Sequence, residues 1–110
     1  MLPEDRVRIL HILEACAAVE RFVHKRSRGD LDSDEMLLFA LVRAMEIIGE
    51  AGARVSGERQ ALLSDVPWTR MAGMRNRLIH AYFDVDRDVV WRTAIDDIPA
   101  LVTVLEPHAR

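Results

Sequence analysis

Arg75, Asn76 and His80 lie close together in the run Met71-Ala-Gly-Met-Arg-Asn-Arg-Leu-Ile-His-Ala-Tyr-Phe-Asp-Val-Asp86. These residue types match what cleavage of RNA without a metal requires. A base must take the proton of a ribose 2′-hydroxyl, an acid must protonate the departing 5′-oxygen, and positive charge must steady the crowded phosphorane between them. Histidine suits both proton steps because its ordinary pKa is near 6.5, and positioned acid or base catalysis contributes ~100- to 10,000-fold. Arginine suits the phosphate because its planar fork donates paired hydrogen bonds and stays charged. Asn76 would orient the imidazole, and Tyr82 would stack on a base or donate its hydroxyl.

Spacing constrains how these groups meet. On a helix, Asn76 and His80 are four apart and Arg77 and His80 three apart, so each pair would be adjacent. Arg75 is five before His80, which puts it about 140° round a regular helix. If both act on one phosphate, the helix must distort or a second subunit must complete the site. By pattern alone, a surface arginine and a satisfied histidine is the commoner meaning.

The elements that must position these residues read as helical. Gly and Pro are scarce, five and four, and no stretch sustains polar/apolar alternation. A first helix starts at Pro3, with Glu4 and Asp5 near its positive end, and carries an apolar stripe of Ile9, Ile12, Leu13, Cys16, Val19 and Val23 to about Arg26. After a turn at Ser27 to Asp30, Asp32 and Glu35 resemble a capping box for a second helix reaching about Val55. Its stripe is Leu38, Leu41, Val42, Met45, Ile48, Gly52 and Val55, and Gly49 with Gly52 predicts a close backbone neighbour. A short helical stretch spans Glu58 to Asp65. Pro67 then opens a helix with Trp68, Met71, Met74, Leu78 and Ile79 on its apolar side. Asp86 caps a last helix whose stripe is Trp91, Ile95, Ile98, Val102 and Leu105, with Pro99 predicting a kink. The simplest architecture is an all-α, antiparallel bundle of four to five helices, one domain over residues 1–110.

Composition narrows the class further. Half of the 110 residues are apolar and 30% are charged, which excludes a disordered chain. The longest apolar run, Met36 to Val42, is far short of the ~20 residues of a spanning helix, so no membrane partner is expected. Pro3, Glu4 and Asp5 stand where a secretory signal would be basic, and the chain reads as cytoplasmic. Cys16 is a single cysteine and reads as a small core residue. The net charge of −3 argues against a general grip on nucleic acid, yet Pro67 to Phe83 holds Arg70, Arg75 and Arg77 with no Asp or Glu. A local cationic site on an acidic body is the expectation.

Two other groups have both a plain and a functional meaning. Arg43, Glu46, Glu50 and Arg54 lie within about an 80° arc of the second helix. They are either a solvated face with a Glu50–Arg54 pair or a second wall that positions Arg75 or His80. His11 with Glu14, and Glu20 with His24, place two candidate metal ligands on one face, but no second inward-facing set completes a bundle site. No metal and no cofactor are called for.

The run from Pro67 to Asp86 resembles the signature of the HEPN superfamily, in which Arg, a polar residue that is often Asn, and three further positions precede His. Pro67-Trp68, Gly73-Met-Arg-Asn-Arg-Leu-Ile-His80, Tyr82-Phe83 and Val85-Asp86 resemble the HepT-like toxins in particular. So do Leu10-His-Ile-Leu-Glu14 and Met45-Glu-Ile-Ile-Gly-Glu-Ala51. The resemblance implies an all-helical homodimer whose motif segments meet in a composite cleft, acting as a metal-independent endoribonuclease. It also implies Arg75, Asn76 and His80 as catalytic residues, with Arg77, Arg43, Glu46 and Glu50 as supporting candidates. The implied partners are RNA and an MNT-type nucleotidyltransferase antitoxin, in a type VII toxin–antitoxin pair or a larger hetero-oligomer, with AMP transferred to Tyr82. Ala81 departs from the Gly that many relatives carry between His and Tyr. The alternative is a catalytically idle HEPN scaffold or nucleotide-binding module that partners the nucleotidyltransferase.

Overall fold

The computed structural model describes residues 2–81 and 84–109, with backbone alone for His80 and Ala81. Helix α1, Pro3–Val23, begins at the expected proline and buries Ile9, Ile12, Cys16 and Val19. It stops short of Arg26 because the chain turns at Lys25, which takes a positive φ of 58° that a helix cannot continue. A single turn, α2 (Asp30–Ser33), leads into α3, Glu35–Arg54. Asp32 therefore does not cap α3, because it lies within α2. The cap is Asp34, whose side chain accepts the Leu37 N–H at 3.0 Å.

Helix α3 is the central element. Leu38, Leu41, Val42, Met45, Ile48, Gly52 and Val55 are all buried, as the stripe predicts. α3 packs along α1 on one side and against α5 (Trp68–Ala72) and α6 (Met74–Leu78) on the other. The α1–α3 pair is antiparallel, as shown by ties at both ends. Arg26 Nη2 pairs with Asp34 Oδ2 at 2.7 Å at one end. At the other, Asp5 accepts the Ser56 N–H at 2.8 Å and the Ser56 hydroxyl at 2.7 Å. Ser56 in turn caps α4, Gly57–Leu62, by accepting the Arg59 N–H at 3.2 Å.

Asp5, expected only to complement the helix dipole, is thus 3% exposed and joins the two helices. The Ser56 N–H, then its hydroxyl, hold the Asp5 carboxyl below its ordinary 3.8. A lowered carboxylate pKa contributes stability that is complete above the unfolded value and lost as pH falls through the folded one. Acid titration of the parent protein should therefore show stability declining below about pH 4. The decline should be shallower in Asp5→Asn, measured as urea midpoints against pH. It should not vanish, since Ser27 and Arg26 lower Asp30, and Arg26 and Leu37 lower Asp34, in the same direction.

The C-terminal arm is α7 (Arg87–Arg92), a π-helical turn (Thr93–Asp97) and α8 (Ile98–Leu105), ending in a 3₁₀ turn, Glu106–Ala109. Asp86 caps α7 through the Val89 N–H at 3.1 Å, as expected. The response to Pro99 is a widened turn upstream of it. This is the local solution to a ring that clashes with the carbonyl four residues back and offers no donor. The extra residue rotates the stripe, so Val90, Ala94, Ile98, Leu101 and Leu105 are buried and Ile95 is 43% exposed. Trp68 packs in the core with its Nε1 donating to the Leu63 carbonyl at 3.0 Å, while Trp91 is only partly buried. Burial pushes the Cys16 thiol up to about 12, with Glu20 adding to the rise, so it is an unreactive core residue. No helix among the described residues is long and apolar enough to cross a membrane.

Candidate active site

The expected motif helix is not continuous. α5 ends at Ala72, Gly73 bridges with φ −85° and ψ 2°, and α6 runs only to Leu78. Ile79 is extended at φ −124° and ψ 113°, opening strand β1 (Ile79–Ala81), which pairs antiparallel with β2 (Asp84–Val85). His80 therefore lies on a strand, and the helical adjacency of Asn76 and Arg77 to His80 does not form. The 140° offset, which assumed one regular helix, does not apply. The reason is local: the Leu78 carbonyl is taken by the Asp86 N–H at 2.8 Å, and a β-branched residue follows.

The two glycines of α3 set how closely this segment approaches. A Cβ at Gly49 would stand 3.0 Å from the Met71 carbonyl oxygen, and one at Gly52 would run into the Met71 side chain. The close neighbour is thus α5 of the same chain. With α5 seated there, Met74 and Leu78 of α6 bury against the core. Arg75, next to Met74, reaches the rim of α3, where its Nε donates to Glu46 Oε2 at 3.2 Å. The Arg75 side chain is 57% exposed and that of Glu46 24%. Its terminal nitrogens make no hydrogen bond to any described residue.

The other sequence candidates divide between two places. Asn76 and Arg77 line a cleft of about 550 Å³ on the α7 side, together with Asp86 and Thr93. There Arg77 Nη2 donates to the Arg70 carbonyl at 3.3 Å. Arg43 and Glu50 stay on the α3 face with Glu46 and approach each other at 3.9 Å, so Glu50 meets Arg43. Exposed pairs of this kind contribute about 0–1 kcal/mol. The structure brings Arg75 to Glu46 and leaves Asn76 and Arg77 on another side. The His80 side chain and Tyr82 lie outside the described residues. Sequence reading missed Arg8, whose Nε is enclosed without a hydrogen-bond partner among the described residues. Its place three residues before His11 on the rim of the α1 stripe was the available signal. Among the described residues, no group of three or more His, Cys, Asp or Glu side chains is placed to hold a metal.

Glu46 holds Arg75 through its carboxylate, so it would position the guanidinium if Arg75 acts on the phosphate. Glu46→Ala should lower RNA turnover by up to about 100-fold, the scale of a misplaced catalytic group, and Glu46→Gln, which keeps an acceptor, should recover part of the loss. In an Arg75→Ala background the same substitution should cost little more, because the two act as a unit. Single-turnover rates of the four proteins measure this coupling, and additive losses would separate the residues.

The family described as Ribonuclease HepT-like matches residues 12–107. A protein of Thermococcus cleftensis named "Probable ribonuclease HepT" is 43% identical over 90 residues, 82% of each chain. A protein of Caldanaerobacter subterraneus subsp. tengcongensis whose name reads "Putative RNase" is 42% identical over 91 residues, 83% of this chain and 81% of its own. No solved structure matches the chain. These likenesses support a ribonuclease, and the chain belongs to the HepT-like ribonuclease family.

Proposed function

We propose that this protein is a metal-independent endoribonuclease toxin of a type VII HEPN/MNT system, active as a homodimer. The observation that carries the reading is the exposed guanidinium of Arg75, anchored through Nε by Glu46 and with no further hydrogen bond among the described residues, in a chain of this family. One imidazole takes the 2′-hydroxyl proton as that oxygen attacks phosphorus. The bond from phosphorus to the 5′-oxygen breaks, and an imidazolium returns a proton to the leaving oxygen. Two copies of His80 in a shared cleft supply base and acid, and Arg75 neutralises the equatorial oxygens. The products are a 2′,3′-cyclic phosphate and a 5′-hydroxyl end. Metal independence follows from this division of labour, since imidazole and guanidinium cover both the proton transfers and the charge.

Regulation by an MNT-type nucleotidyltransferase fits the same chemistry. AMP on Tyr82 adds bulk and negative charge two residues from His80, which opposes the binding of a polyanion. The test uses protein purified from cells lacking the transferase. It should cleave RNA in EDTA, leave cyclic phosphate ends and spare DNA, which lacks the attacking hydroxyl. Intact RNA after incubation with unmodified dimer would leave the scaffold alternative.

A further inference from the structure

The α3 face that carries Glu46 continues into a groove against α1, lined by Arg8, His11, Arg43, Glu50 and Arg54, with a volume of about 290 Å³. Three guanidiniums face one carboxylate there. That carboxylate, Glu50, approaches Arg43 at 3.9 Å, which leaves Arg8 and Arg54 uncompensated by any lining acid. The Arg8 Nε is shielded from solvent and has no hydrogen-bond partner among the described residues. Because that atom is enclosed, an anionic oxygen in the groove would meet the terminal nitrogens of Arg8. The floor is Ile47 and Ala51, whose apolar surfaces strengthen the pull of the guanidiniums by displacing water.

Position decides what the anion belongs to. Glu50 follows Glu46 by one helical turn, about 6 Å along the axis, so the groove opens beside the carboxylate that holds Arg75. We propose that this α1–α3 groove is a second phosphodiester contact for single-stranded RNA, receiving nucleotides that flank the linkage held by Arg75. The proposal rests on the ribonuclease reading for its ligand. A second copy of the chain is the poorer occupant, because a two-fold interface would set this excess of positive charge against itself.

The test separates the groove from catalysis by using an uncleavable ligand, a fluorescent 2′-O-methyl oligoribonucleotide in which the attacking hydroxyl is blocked. Its affinity is followed by anisotropy across salt concentrations. Each lost phosphate contact on a single strand removes about 0.7 from the slope of log affinity against log salt. Arg8→Gln/Arg54→Gln should therefore flatten the slope by about 1.4 and weaken binding at 0.1 M salt about 25-fold. Arg21→Gln, on α1 outside the groove, should match the parent protein. If the double variant does not fold, Arg54→Gln alone, at an exposed position, should still flatten the slope by about 0.7. Parent-like slope and affinity would overturn the proposal, as would a change in sedimentation from dimer to monomer, which would make the groove an inter-copy surface. A parent protein that fails to cleave RNA while the slopes shift as stated would sink the catalytic reading and leave the groove standing.

Discussion

His80→Ala is expected to slow RNA cleavage by about 100- to 10,000-fold, the range that a positioned acid or base contributes. Arg75→Ala should cost about 100- to 1,000-fold, the scale of losing one preorganised donor to a developing oxyanion. The two losses should not multiply, since phosphate placement and proton transfer serve one transition state. In the pH profile the parent should show a bell from imidazole acting as base and as acid. His80→Ala should flatten that bell, and Arg75→Ala should lower it without changing its shape. Cleavage by His80→Ala at the parent rate would remove the imidazole from the mechanism. Far-ultraviolet circular dichroism of each variant establishes that the loss is chemical.

The largest effect on stability is expected at Leu41. It is fully buried at the middle of α3, the helix that contacts both α1 and the α5–α6 segment. Leu41→Ala removes buried methyl groups and leaves a cavity that helices on either side of α3 can fill only in part. The cost is about 2–5 kcal/mol, against a total near 5–15 kcal/mol for a domain of this size. Urea unfolding should show a lower midpoint at an unchanged slope. A midpoint within error of the parent would mean that the core reseals around the change.

What could be read from the sequence was whatever repeats with the helical period. The α3 stripe is buried at every position named, because six apolar side chains and Gly52, spaced mainly by three and four, share one side of the helix. Gly49 and Gly52 signalled a close neighbour, and Met71 is that neighbour. The breaks were harder to read. Nothing in Met74-Arg-Asn-Arg-Leu78 forbids another turn, and α6 ends because the Asp86 N–H, eight residues on, takes the Leu78 carbonyl. The shift at Ile95 required knowing that the chain absorbs Pro99 with a widened turn. Asp5 and Ser56 are 51 residues apart, a contact that no local pattern encodes. At the site, Glu46 was legible as part of a charged arc, but which member of the arc meets Arg75 depended on how α6 sits on α3.

That meeting favours arginine over lysine at position 75 for the proposed role. Glu46 occupies the inner nitrogen of the side chain and leaves the outer pair unclaimed. A lysine has a single nitrogen, so anchoring to the carboxylate and gripping an incoming phosphate would compete for the same atom. Guanidinium can divide the two tasks between different atoms of one rigid plane, so under the proposed mechanism the residue would be held in place by one edge and would grip phosphate with the other.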